Sequence, residues 1–169
     1  MSAIGVICCP AASWAVTQPK PATMRQKVEQ LEREIAQLEP IECPVVHHFA
    51  PGLYAREMTI PAGTILTGAV HKTEHLSIIS AGRIAFTTDE GVKEVSAPYT
   101  FVSKPGAKRA GVAIETTVWT TLHVTTETDL DQLCRDLTES QPSELMGGKD
   151  NIQVIANAKR KALEAEVSA

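Results

Sequence analysis

Aromatic residues make up only 4% of this 169-residue chain, and that scarcity removes one class of function at the outset. A surface that stacks nucleobases needs a series of exposed rings. Positive charge is short as well: 16 lysines and arginines stand against 20 acidic residues, a net charge of -4. A broad nucleic-acid face needs clustered basic groups, so none is expected. No apolar run is long and unbroken enough to cross a bilayer as a helix, so no membrane partner is expected either. The four cysteines lack zinc-knuckle or redox spacing: Cys8 and Cys9 are adjacent, Cys43 precedes a proline, and Cys134 falls in a helical pattern. Reduced thiols in a reducing compartment are the expectation. The opening MSAIGVICCPAASWA is apolar like a leader but lacks a positive n-region, which favours a cytoplasmic protein. Long repeats and low-complexity tracts are missing too.

What is present suits one domain with peripheral segments: 43% hydrophobic and 21% charged residues are ordinary for a globular chain. Residues 1–22 are small, apolar and proline-punctuated, and a flexible arm is expected there. The pattern then becomes helical over 23–39. Thr23 and Gln26 form a capping box, and Met24, Val28, Leu31, Ile35 and Leu38 follow at steps of four and three, with Pro40 as the stop. That stripe suits either a helix laid on the chain's own barrel or one that pairs subunits.

From 43 to 125 the composition turns to β. Strands are expected near 44–50, 53–60, 64–71, 75–81, 83–88, 92–97, 99–103, 109–115 and 117–125. Turn signals such as Pro51-Gly52, Gly63, Gly82, Gly91 and Pro105-Gly106 separate them. Evenly spaced short strands indicate a sandwich or barrel, not a βαβ sheet. Over 126–169 the helical period returns, first with Leu130, Leu133, Cys134 and Leu137 on one stripe and a cap at Thr128 or a neighbour. A second helix is expected over 151–167, with Lys159, Arg160 and Lys161 on a solvated face.

Three of the five histidines, His71, His75 and His123, fall in or beside the central strands. Neutral imidazole is the commonest ligand of divalent transition metals, and three such ligands leave positions open for chemistry. His71 and His75 flank a turn, while His123 alternates to one face with Trp119, Thr121 and Thr125. His123 suits either a third ligand or a satisfied interior histidine. His47 and His48 are adjacent in a strand, face opposite ways, and are expected to be structural, as Trp119 and Phe101 are expected to be core. Glu57 and Glu74 are candidate acid/base partners, and Arg109 is either solvated in its turn or functional.

The stretch GTILTGAVHKTEHLSIISAG resembles the first signature motif of the cupin superfamily. Gly63 is followed by five residues, then Ala69-Val70-His71, three residues, His75, six residues and Gly82. Ala69 stands where that motif has its first metal histidine, and His75 stands where glutamate is usual. Of the second motif only Gly106 is in register, and Arg109 occupies the place of the last histidine. The resemblance covers roughly residues 43–125, with a narrower likeness to small cupin-like proteins of tailed bacteriophages in HKTEHLSIISAG and TVWTTLHVT.

The resemblance implies a mainly β, RmlC-like antiparallel barrel (a double-stranded β-helix or jelly roll) with an N-terminal helix and C-terminal helices. It implies a divalent transition metal (Fe, Mn, Ni or Zn) on His71 and His75, and His123 is the candidate third ligand in place of the missing histidine. A small anionic ligand would be clamped by Arg109 through paired hydrogen bonds, with Glu57 beside it. Three functions follow: a metal-dependent enzyme, a ligand sensor, or a non-catalytic oligomeric assembly protein, the last placing it in a virion instead of the cytoplasm. A homo-oligomer, a dimer or higher, is expected in each case because barrel edges need cover.

Overall fold

The computed structural model describes residues 22–142. Almost all of the expected arm, Cys8, Cys9 and the helix expected over 151–167 lie outside the described residues. The first helix, α1, runs Met24–Ile35 and begins as its sequence dictates. Thr23 Oγ1 accepts from the Gln26 N–H at 3.3 Å, and Gln26 Oε1 accepts from the Thr23 N–H at 2.9 Å. The helix stops four residues before the expected end. Its last turn tightens, with the Leu38 N–H donating to the Ile35 carbonyl, so Leu38 leaves the stripe and becomes exposed. Val28 is buried and the helix packs on the chain's own barrel.

Nine strands follow among the described residues: β1 Val45–Ala50, β2 Leu53–Ile60, β3 Ile65–Thr67, β4 His75–Ala81, β5 Arg83–Thr88, β6 Gly91–Ser96, β7 Tyr99–Ser103, β8 Ala110–Ala113 and β9 Thr117–Val124. Eight match their expected spans closely. The third is cut short of 64–71 because the chain leaves the sheet after Gly68. The Val70 carbonyl accepts from Glu139 N–H and the Lys72 N–H donates to the Leu137 carbonyl, so these backbone groups bond to the C-terminal segment.

The strands form two antiparallel sheets, ordered β1-β2-β9-β4-β7 and β3-β8-β5-β6. With β1 set aside as an added edge strand and the other eight renumbered, the orders are 1-8-3-6 and 2-7-4-5. That interleaving is a jelly roll, in which each sheet takes alternate pairs of strands as the chain winds between them. The jelly-roll barrel is therefore defined by strand order itself. Gly82 marks one crossing where no side chain fits. Its φ is +79°, and a Cβ there would lie 2.1 Å from the Thr116 carbonyl oxygen.

Registers set what faces inward. Tyr54, Arg56, Met58 and Ile60 of β2 lie opposite His123, Thr121, Trp119 and Thr117 of β9. Ser77 and Ile79 of β4 lie opposite Thr121 and Trp119 in turn. The inner face therefore grades along the barrel, from rings and hydroxyls at one end to Met58, Trp119 and Ile79. Ile60, Ile79, Ile84, Phe86, Val95 and Ala113 fill the apolar end, each fully buried large side chain contributing about 1.5–3 kcal/mol.

The second helix, α2, spans Leu130–Leu137, and its cap is Asp129, whose carboxylate accepts from the Gln132 N–H at 2.8 Å. Its stripe forms as expected: Leu133 and Leu137 are buried against Tyr54, with Leu130 packed alongside. Helix α2 thus covers the polar end of the barrel. Cys43 and Cys134 are buried free thiols.

Candidate metal centre

His75 opens β4, directly opposite Ser103 of β7, and His123 lies near the end of β9, opposite Tyr54. His71 arrives from the connection between β3 and β4, where it forms an isolated antiparallel bridge with Thr138 just beyond α2. Its carbonyl also accepts from the Gly106 N–H at 2.9 Å. Backbone bonds from two separate segments therefore fix a residue that belongs to no strand.

The three rings converge. Centroids are 4.0 Å apart for His71 and His75, 4.9 Å for His71 and His123, and 4.6 Å for His75 and His123. One nitrogen of each lies within 4.8 Å of the others, a group able to hold a metal ion. The His75 Nδ1–H donates to the Thr73 carbonyl at 3.3 Å, and since a carbonyl only accepts, this leaves the Nε2 lone pair free. Nδ1 of His71 and Nδ1 of His123 are buried with no hydrogen-bond partner. Leaving such an atom unsatisfied costs about 1–3 kcal/mol, and a cation held through these nitrogens would remove that cost. The donor set fits a borderline metal ion.

Electrostatics keep the rings in the ligating form. Burial pushes His71 down to about 3, helped by repulsion from His75 and His123 when those rings are protonated and by the charges of Arg56 and Arg109. His123 is lowered to about 4, mainly by burial and then by His75. His75 is lowered by burial, partly offset by its bond to Thr73, with Arg109 adding to the lowering. All three are neutral at pH 7.

These rings line a cavity of about 970 Å³ that continues past Ser77, Met58 and Trp119 toward the end of α1. Arg109 lines it too: Cζ lies 5.7 Å from the Phe101 ring centroid, and Nε is buried without a hydrogen-bond partner. The turn around Arg109 is thus drawn into the barrel mouth, beside Gly68, whose N–H donates to the Arg109 carbonyl at 2.9 Å.

Glu57 is not brought to the site. It faces outward on β2, 3.7 Å from His48 on β1. Alternation sends its neighbour Arg56 inward instead, and a one-residue step on a strand changes the face. Glu74 is exposed in its turn and outside the cavity lining. The cavity wall does contain Arg56, Tyr54 and His47, none of which the sequence reading assigned to the site. His47 Nδ1 and the Tyr54 hydroxyl are 2.8 Å apart, and burial raises Tyr54 to about 12. Counting every second residue back from Ile60 along β2 finds Met58, Arg56 and Tyr54; that signal was available.

The fold and this histidine cluster together define a cupin-like barrel with a candidate three-histidine metal centre. No protein-family model and no curated protein matches the sequence. Among solved structures, an HTH_3-family transcriptional regulator from Vibrio cholerae is 14% identical with a TM-score of 0.43, and the alignment covers 51% of this chain and 52% of that one. A cupin domain from Bordetella pertussis is 10% identical with a TM-score of 0.42, covering 53% of this chain and 99% of that one. The cupin domain of an XRE-family transcriptional regulator from Enterobacter cloacae is 9% identical with a TM-score of 0.43, covering 52% and 100%. At such identities the description of the barrel stands on strand order, not on superposition. Among the described residues no helix is long and apolar enough to cross a membrane.

Proposed function

We propose that the barrel is a metal-dependent small-ligand site, in which His71, His75 and His123 hold one divalent transition ion (iron, manganese, nickel or zinc) and Arg109 receives an anionic group beside it. The observation that carries this reading is the cluster itself: three neutral rings, two with buried unpartnered nitrogens, within 4.8 Å. A bound ion would supply Lewis acidity toward an oxygen ligand. The protein's own part is to hold the rings neutral, exclude water behind α2, and place a guanidinium where a carboxylate or phosphate can accept two parallel hydrogen bonds. With Glu57 and Glu74 outside the cavity, binding or Lewis-acid activation suits the site better than general acid–base work by a carboxylate. Metal analysis of purified protein tests this. One equivalent retained by His48→Ala and lost from His71→Ala, His75→Ala and His123→Ala is expected; equal metal content in all four would sink the proposal.

A second reading, self-association, is favoured by one observation. On the outer face of the five-stranded sheet, Leu122 lies opposite Leu76, which lies opposite Val102, and Leu53 lies opposite Val124. Leu76, Val102, Leu53 and Val124 are exposed. Such a patch suits the two-fold pairing of two identical faces, in line with an assembly role. Light scattering should show a dimer that Leu76→Asp reduces to a monomer, and a chain begun at Pro40 tests whether α1 contributes.

A further inference from the structure

The cavity carries polar groups at its histidine end, while its exposed lining mixes apolar side chains with Arg33, Glu39 and Lys104. At the buried end Ser77 and His123 are 0% and 3% exposed. At the rim the exposed lining residues include Leu38, Ile41 and Ile65, at 68%, 50% and 54%. Between them the wall is carbon, from Met58, Leu66 and Phe86. Its volume of about 970 Å³ lies at the upper end of the roughly 300–1,000 Å³ usual for small-molecule sites. That is far more space than a simple chelating anion fills.

We propose that the ligand is an amphipathic carboxylic acid, its carboxylate inserted at the histidine and Arg109 end and its hydrocarbon tail running past Trp119 to the apolar side chains of the rim. This rests on the ligand site proposed above and names the class of molecule it takes. Charge complementarity selects the acid: Arg56 and Arg109 both line the cavity, and Nε of Arg109 is buried there without a hydrogen-bond partner. Basic side chains outnumber carboxylates in the lining: Arg33, Arg56, Lys104, Lys108 and Arg109 stand against Glu32, Glu39 and Asp131. Tail selection comes from the wall and rim, where apolar surface otherwise stands against water. Trp119 Nε1, buried without a partner in that wall, adds one donor for an acceptor set back from the carboxylate.

Trp119 also supplies the readout, since Trp14→Phe leaves it as the remaining indole of the two in the chain. In that background, octanoate, butyrate, octanamide and gluconate are titrated by fluorescence, with calorimetry as the second measurement. Octanoate should bind more than about tenfold tighter than butyrate, as expected when several methylenes leave water, and more than tenfold tighter than octanamide or gluconate. Arg109→Gln should remove the preference for octanoate over octanamide. Ile41→Ser, at a rim position that is 50% exposed, should narrow the octanoate-to-butyrate ratio. Gluconate or butyrate binding as tightly as octanoate overturns the proposal, as does no binding of octanoate by protein with its full metal content. The chain-length ratio is measured again after chelation. A ratio that survives while the histidine variants leave metal content unchanged separates failure of the metal reading from failure of this one.

Discussion

His71 and Thr138 pair across an isolated antiparallel bridge, which ties a candidate metal ligand to the end of a helix far along the chain. The flanking bonds, Lys72 N–H to the Leu137 carbonyl at 2.8 Å and Glu139 N–H to the Val70 carbonyl at 2.9 Å, make the tie rigid. Helix α2 is therefore part of the site, although it contributes no ligand. Leu133→Ala removes a buried anchor of α2 and should cost about 2–5 kcal/mol of stability. Metal affinity should fall with it, because His71 loses its fixed position. Denaturant unfolding and metal titration measure the two effects; a stability loss of that size with unchanged affinity would uncouple α2 from the centre.

The depressed histidines make a prediction for the metal-free protein. Above pH 6.5 His71 and His123 are neutral in both the folded and the unfolded chain, and contribute no slope. Below it the unfolded chain takes up protons that the fold refuses, down to about 4 for His123 and about 3 for His71. Stability should therefore fall with pH by about 1.4 kcal/mol per unit for each of them. The window from pH 6.5 to 5 isolates this from carboxylate titration. Denaturation midpoints in chelator should show the slope, and a His71→Ala/His123→Ala chain should lose most of it, His75 keeping the share that its own lowering gives. A flat profile in the parent protein would refute the assignment.

Strand positions were legible because glycine and proline punctuate them, and the period of two sorted Trp119, Thr121 and His123 onto one face. The histidine cluster was legible through the spacing of Gly63, His71, His75 and Gly82. Two features were not. The truncated third strand depends on Val70 and Lys72 finding partners at 137–139, a long-range pairing with no local signature. The helix end at Ile35 depends on a tightened last turn, which a heptad count carried on to Leu38 does not reveal. Glu57 has the chemistry of an acid/base partner but lies on the outer face; the alternation that turns His123 inward selects Arg56 instead.

Gly82 should tolerate no side chain. Its positive φ disfavours any L residue, and a Cβ would meet the carbonyl of Thr116 and the Cα of Thr117. These are backbone atoms where the chain enters β9, so they move only by distorting the strand that carries Trp119 and His123. Gly82→Ala should destabilise the protein by more than about 3 kcal/mol, combining backbone strain with a core displacement. Gly52→Ala is the control: it shares a positive φ but its Cβ would meet nothing within 4 Å, so only the strain of about 1–2 kcal/mol should register. Equal losses in the two variants would refute the close-approach account.

Glu32 is the latch that seats α1 on the barrel, while Arg25 ties the same helix to Glu139 at 2.6 Å beyond α2. Glu32 Oε1 accepts from Lys108 Nζ at 2.6 Å and from Thr67 Oγ1 at 2.8 Å. The lysine side chain is only 7% exposed whereas the glutamate is 45% exposed, so the two partners do not lose equally when the pair breaks. Glu32→Gln keeps an acceptor for Thr67 but leaves Lys108 charged, poorly hydrated and without its counter-ion. Glu32→Gln should therefore cost about 1–2 kcal/mol, more than an exposed pair and less than a fully buried one. The loss should concentrate in α1, read as faster amide exchange over 24–35 with β4 and β9 unchanged. Because Lys108 adjoins Arg109 and both line the cavity, freeing α1 should also raise the off-rate of any bound acid. Uniform exchange across the barrel, with ligand kinetics unaltered, would mean that α1 is held by Val28 and its apolar neighbours instead of by the latch.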